Sequence, residues 1–145
     1  MPYVTVIVAA YNQGKHLEQC LNSLLSQSML KEDYEIIVVN DGSTDETPAI
    51  IAKYSDEVRS IHFDQNRGLA AACNAGLDLA QGEYVIRVDA DDWVADDALL
   101  PQYLLFERQD SVDIVLPNYW RVVGREFQQQ SPRPDNVFTW LAGGS

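Results

Sequence analysis

The chain has 145 residues, 46% of them hydrophobic, enough for one globular domain with its own core and too few for two ordinary ones. Acidic residues outnumber basic ones 22 to 10, and a formal charge of −12 repels nucleic-acid backbones and anionic lipid headgroups, so no nucleic-acid partner is expected. A small anionic substrate would meet the same repulsion unless a bound cation, a helix N-terminus or local basic groups reverse it.

The first element is the apolar run Val4–Ala10, which starts almost at Met1 without a basic segment before it. It is far shorter than the ~20 residues needed to cross a bilayer, so it predicts a buried strand, with no signal or membrane segment in this portion. Cytoplasmic placement is expected, with regions not present here able to bring it to the cytoplasmic face of a membrane. Leu17, Cys20, Leu21, Leu24 and Leu25 then recur at helical spacing.

A second Val- and Ile-rich run, residues 34–39, predicts another strand buried on both faces. Residues 44–54 predict a helix opened by Ser43, with Glu46 at the reciprocal capping-box spacing and Pro48 tolerated in the first turn. A weaker strand follows at 58–63, then a small-residue-rich helix at 69–80 that Gly82 ends nearby. Strand 84–88, a helix around Leu99, Leu100, Tyr103, Leu104 and Phe106, and strand 112–116 complete the alternation.

Strands alternating with helices in this way predict an α/β doubly wound, mainly parallel sheet with helices on both faces. The expected division is 1–117 as this domain and 118–145 as the start of a further region. Within the latter, Tyr119–Val123 and residues 126–129 flank Gly124 as a hairpin or edge ribbon, and 128–134 is polar with two prolines. Residues 137–145 begin a new apolar segment that stops at two glycines and a serine, the pattern of a truncated second half. Cys20 and Cys73 lie in apolar helical patterns and read as reduced core residues.

Ligands of open α/β sheets bind beyond the carboxyl ends of the strands, so the residues after each run carry the functional information. They are Tyr11 and Asn12, then Asn40 to Ser43, then Asp64 to Gly68, then Asp89, Ala90, Asp91 and Asp92. Three carboxylates within four residues repel one another and call for a neutralising partner. Oxygen ligands without His or Cys favour Mg2+ or Mn2+, which keep coordination positions free for diphosphate oxygens. The structural alternative is a solvated acidic turn that caps the next helix.

Asp41 can accept hydrogen bonds from a base or ribose, although Asn-Asp-Gly-Ser is also ordinary turn chemistry. Asn66, Arg67 and Gly68 precede a helix: Arg67 is a candidate diphosphate contact, Gly68 permits close backbone approach, and the helix N-terminus favours anions. Asn74 and Gly76 are unfavourable inside a helix, and close approach of helix to sheet accounts for Gly76. Trp93 either lines a sugar pocket or is a core aromatic, and His16 and His62 carry no catalytic spacing.

Taken together, Val-Ala-Ala-Tyr-Asn (8–12), Val-Val-Asn-Asp-Gly-Ser-Thr-Asp-Glu-Thr (38–47), Asn-Arg-Gly-Leu-Ala-Ala-Ala-Cys-Asn-Ala-Gly (66–76) and Val-Asp-Ala-Asp-Asp (88–92) resemble family 2 glycosyltransferases of the GT-A fold. The resemblance covers residues 1–116. It implies a nucleotide-binding set of Ala9, Tyr11, Asn12, Asp41, Asn66, Arg67, Gly68, Asn74 and Asp89, with Asp41 on the base, often uracil, and Tyr11 against the nucleotide. It further implies that Asp89 and Asp91 form the metal-linked Asp-x-Asp motif, Asp91 as the direct ligand and Asp89 nearer the ribose. Many members carry Arg at the position of Cys73, so one cation near the nucleotide is missing here and Arg67 is the candidate to compensate.

The implied activity is metal-assisted transfer, with inversion, of a sugar from a nucleoside-diphosphate donor, a UDP-sugar first, to a hydroxyl of a carbohydrate or glycoconjugate acceptor. No catalytic base is assigned, since in inverting members it belongs to a later acceptor-side region, expected beyond Ser145. An oligomer is compatible with this reading. Three other functions fit parts of the pattern: a non-catalytic nucleotide- and metal-binding module, a receiver-type phosphoacceptor domain, which needs a late-strand Lys absent from 112–117, and a dinucleotide-binding domain, whose glycine fingerprint the first turn lacks.

Overall fold

The computed structural model describes residues 1–108, 119–123 and 126–130. Two compact units divide the chain, residues 1–104 and 105–145. The elements run β1 (Val4–Ala10), α1 (Leu17–Leu25), β2 (Tyr34–Asn40), α2 (Thr47–Lys53), β3 (Arg59–His62), α3 (Leu69–Leu79), β4 (Tyr84–Asp89) and α4 (Leu99–Arg108), followed by β5 (Tyr119–Val123) and β6 (Glu126–Gln130). The expected strand at 112–116 and the segments at 131–134 and 137–145 lie outside the described residues.

The first four strands form one parallel sheet in the order β3-β2-β1-β4. From β1 the chain moves outward to β2 and β3, then returns to the other side of β1, so the strand order reverses there. This is the α/β doubly wound arrangement that the alternating pattern predicts.

Side chains leave a strand alternately to its two faces, and both faces of β1 are covered. Val4, Val6, Val8 and Ala10 pack with Leu17, Cys20, Leu21 and Leu24 of α1 and Ile50 and Ile51 of α2. Each fully buried Leu or Ile there contributes about 1.5–3 kcal/mol. On the other face Ile37 and Val39 pack with Ala72 of α3, and a Cβ added to Gly76 would come within 2.7 Å of Ile7 Cγ2. The glycine that disfavours the helix locally thus lets α3 lie close on the sheet, as expected.

At the amino end of the sheet a polar network replaces apolar packing. Thr5 Oγ1 donates to Glu35 Oε1 at 2.8 Å and accepts from the Gly82 N–H at 2.9 Å. Arg59 pairs with Glu35 Oε2 at 2.9 Å, and the Gln81 N–H donates to Oε1 at 2.6 Å. Gly82 belongs to this junction: a Cβ there would sit 2.5 Å from the Thr5 nitrogen, while Ala80 caps α3.

One boundary differs from expectation. Helix α2 starts at Thr47, and Ser43 and Glu46 form no capping box. Ser43 Oγ instead accepts the Asn12 N–H at 3.0 Å, and Asp45 accepts the N–H groups of Thr47 and Gly14 at 2.9 and 3.0 Å. A tertiary bond to the loop after β1 claims Ser43, which the local pattern assigns to capping, while Asp45 serves both that loop and the start of α2. In the second unit, β5 and β6 pair antiparallel from Tyr119 opposite Gln130 to Val123 opposite Glu126, the ribbon expected around Gly124.

Candidate functional site at the carboxyl rim of the sheet

Register brings the strand exits to one level: Ala9 stands opposite Val39 and Asp89, and Asn40 is opposite both Ala10 and His62. Asn40 and Asp89 are therefore the last strand residues. The loops that follow carry Tyr11, Asn12, Asp41, Asn66, Arg67, Gly68, Asp91 and Asp92 at this rim.

Asp41 is 4% exposed, and its carboxylate is engaged by backbone. Oδ1 accepts the Arg67 N–H at 2.6 Å and Oδ2 accepts the Gly68 N–H at 2.9 Å, so Asp41 fastens the turn that enters α3. Next to it, Gly42 has φ of +70°, and any Cβ would run into the backbone of Gln65 and Asn66. Close backbone approach explains Gly42. Gly68, by contrast, has φ of +91° with open space around it, so backbone conformation and not close approach calls for that glycine.

Asn12 also takes a left-handed conformation, φ 51°, and its Oδ1 accepts the Thr44 N–H at 2.8 Å. Gln13 N–H donates to Thr47 Oγ1 at 2.9 Å, so the loops after β1 and β2 are laced together. Asn40 supports them, accepting the Ser43 N–H at 3.0 Å and pairing with His62 Nδ1 at 3.2 Å. His62 thus has a structural partner that its spacing did not suggest. Tyr11 and Asn66 are exposed in the loops at this rim, and Asn74 is exposed on α3. The Arg67 guanidinium lies 4.4 Å over the Phe63 ring, a cation–π contact that leaves its N–H edges free to face solvent.

The acidic segment leaves β4 at the same rim. Asp89 meets Arg87 at 3.3 Å, with both side chains half exposed. Asp91 has no ion pair or hydrogen bond among the described residues. Burial pushes the Asp92 carboxyl above its ordinary value, and the charges of Asp91 and Asp89 add to that, so the three carboxylates lie close enough to repel. Buried Cys20 beneath them is pushed up to about 12, by burial first and then by Asp92, Asp91 and Asp89, so it remains a neutral thiol.

Among the described residues no three His, Cys, Asp or Glu side chains are grouped to hold a metal by themselves. A hard divalent cation of the Mg2+ type needs fewer: one or two carboxylates, with water and substrate oxygens completing the shell. Mutually repelling carboxylates of which Asp91 is unpaired fit that demand.

Sequence reading missed what holds this segment. Val94 N–H donates to Ser23 Oγ at 3.1 Å, and Gln27 donates to Ala95 O at 2.7 Å and accepts the Leu99 N–H at 3.0 Å. Cys20 and Ser23 fall on one edge of α1 and Gln27 follows just beyond its end, and that spacing is the sequence trace of the contact. Trp93 is 46% exposed, not a core aromatic, and borders an open groove along α1 with Lys15, Gln19, Asn22, Ser23 and Ser26.

The sequence profile of Glycosyl transferase family 2 matches residues 5–142. The poly(ribitol-phosphate) beta-glucosyltransferase of Bacillus spizizenii (strain ATCC 23059 / NRRL B-14472 / W23) is 33% identical over 143 residues, 92% of this chain and 22% of that protein. Staphylococcus aureus TarS residues 1–349, solved in complex with UDP-GlcNAc, superposes with a TM-score of 0.71 at 33% identity, covering 77% of this chain and 32% of TarS. A mannosyltransferase from Pyrobaculum calidifontis, PcManGT, in complex with GDP-Man and Mn2+, gives 0.63 at 35% identity, covering 68% of this chain and 30% of that one. The chain spans between 17% and 39% of the length of the first curated relatives it matches.

Proposed function

Because the chain belongs to glycosyl transferase family 2, we propose that it forms the donor-binding part of a glycosyltransferase that takes its sugar from a nucleoside-diphosphate donor, a UDP-sugar, with inversion and with a divalent cation. The observation that carries the reading is the shared rim. The Asp41-fastened turn at Arg67 and Gly68 and the mutually repelling acids at Asp89 to Asp92, of which Asp91 is unpaired, all leave the carboxyl ends of one parallel sheet. The neighbours solved with UDP-GlcNAc and with GDP-Man and Mn2+ support it from outside the chain.

In this reading Asp41 has two tasks. Each oxygen already accepts one backbone N–H and keeps a second lone pair, which can take the N–H of a uracil base. Ala9, Tyr11 and Asn12 bound the nucleotide on one side, and Asn66, Arg67, Gly68 and Asn74 on the other. Asp89 lies nearer the ribose, and Asp91, free of protein partners, is the cation ligand, with Asp89 beside it. A bound Mg2+ or Mn2+ supplies charge stabilisation to the departing diphosphate. Arg67 and the amino end of α3 add positive potential where the net charge of −12 would otherwise repel the donor.

The acceptor hydroxyl of a carbohydrate or glycoconjugate forms the new bond at the anomeric carbon as the bond to the diphosphate oxygen breaks. Its proton passes to a base, a role assigned to none of the residues named here. No helix among the described residues is long and apolar enough to cross a membrane.

Calorimetric titration of UDP with and without Mn2+, on wild type and Asp91→Asn, tests the proposal. UDP binding that depends on Mn2+ and is lost in the variant is expected. Negligible heat in both titrations of the wild type would overturn it.

A further inference from the structure

We propose that the carboxyl end of α1, through Ser23 and, just after the helix, Gln27, is a positioning device that sets the acidic loop for cation and diphosphate binding; this rests on the donor-site reading above. The loop between β4 and α4 has little backbone bonding of its own: Asp92 N–H to Asp89 O and Ala98 N–H to Ala95 O, both 3.0 Å. Its remaining anchors come from α1 and the residues just after it, some 70 positions away in sequence. Besides the Ser23 and Gln27 bonds, Cys20 Sγ lies 3.7 Å from Asp89 O, and the Ser28 N–H donates to Asp96 O at 2.6 Å.

The placement of these anchors is informative. Cys20 meets the loop at Asp89 and Ser23 meets it at Val94, so Asp91 lies between two points fixed by the same rigid helix. Gln27 has its amide committed at both ends, donating to Ser23 O at 2.9 Å as well as to Ala95 O, and accepting from Leu99. Neither a carboxylate nor an alkyl group could satisfy that set. Carboxylates that repel one another spread apart unless their backbone is held, and a spread set must be gathered again when a cation binds. Groups that orient metal ligands from behind commonly set affinity by 10–100-fold.

The test uses the full-length protein with UDP at saturation, and reads Mn2+ affinity by calorimetry together with thermal melting. Gln27→Leu and Ser23→Ala are expected to weaken Mn2+ roughly 10–100-fold. Ser23→Thr, which keeps the hydroxyl, recovers most of the loss. Thr5→Val breaks buried hydrogen bonds at the opposite end of the sheet, so it lowers the melting temperature and leaves Mn2+ affinity unchanged.

The inference is overturned if Gln27→Leu and Ser23→Ala bind Mn2+ like wild type, or if Thr5→Val weakens binding as much as they do. Should Gln27→Leu not fold, the single-oxygen deletion Ser23→Ala decides by itself. A wild type that binds no Mn2+ with UDP overturns the donor-site reading, a result distinct from variants that match a binding-competent wild type.

Discussion

Replacing Asp41 by Asn changes one oxygen to NH2 and should cost both stability and donor binding. The carboxylate accepts two backbone N–H bonds, from Arg67 at 2.6 Å and Gly68 at 2.9 Å, and is 4% exposed. Bonds to a charged acceptor contribute about 1.5–3 kcal/mol each, and Asn can keep one while turning a donor against the other N–H. Because Arg67 is exposed, water can relieve part of the loss, which brings the expected cost to about 2–3 kcal/mol. At roughly 2–4 °C per kcal/mol for a domain of this size, the melting temperature should fall by about 5–10 °C. Melting is followed by circular dichroism, and UDP affinity is measured on the same samples well below the transition. The turn enters α3 and carries Arg67, so UDP binding should weaken even where the variant is fully folded. If Asn at this position leaves melting within about 1 °C of wild type, then Asp41 does not fasten the turn and the argument from its burial fails.

Two further outcomes follow from named groups. Glu35 resists burial, which would raise its pKa, because bonds from Gln81, Thr5 and Arg59 outweigh it and hold the carboxyl below its ordinary value of 4.5. A depressed folded pKa stabilises above the unfolded value, and the contribution is lost as pH falls through the folded one. Glu35→Gln should therefore melt lower than wild type at neutral pH, with the gap closing in acid; a gap independent of pH would refute the network's electrostatic part. Cys20 is fully buried with its thiol pushed up to about 12, while Cys73 is only partly buried. Maleimide at neutral pH should modify Cys73 and spare Cys20 until the protein unfolds, as peptide mass spectrometry would show, and early labelling of Cys20 would contradict the packing of α1 under the acidic loop.

Much of this arrangement is legible in the sequence because the dominant forces are periodic. Runs such as Val4–Ala10 and Tyr34–Asn40 are mostly apolar since α1 and α2 cover one sheet face and α3 the other, and such runs end where backbone must leave the core. Polar residues at those ends stand out, and that is how Asp41, Arg67 and the acids at 89–92 are visible in the sequence alone.

What periodicity does not encode is which polar atom meets which. Ser43 and Glu46 look like a capping box because capping is local, yet a loop some 30 positions away uses Ser43, and α2 starts later, at Thr47. The same limit hides Ser23 and Gln27, two ordinary polar side chains at and just after the end of a helix. Only the fold shows that their partners are Val94, Ala95 and Leu99. The division of labour at the rim follows: Asp91 can remain unpaired because Ser23 and Gln27 hold its loop, and Asp41 can remain buried because it holds the turn at Gly68. Chemistry at this site would be performed by exposed groups, but their positions are fixed by buried or half-buried ones, and substitutions at those supporting residues should be read first as changes in geometry.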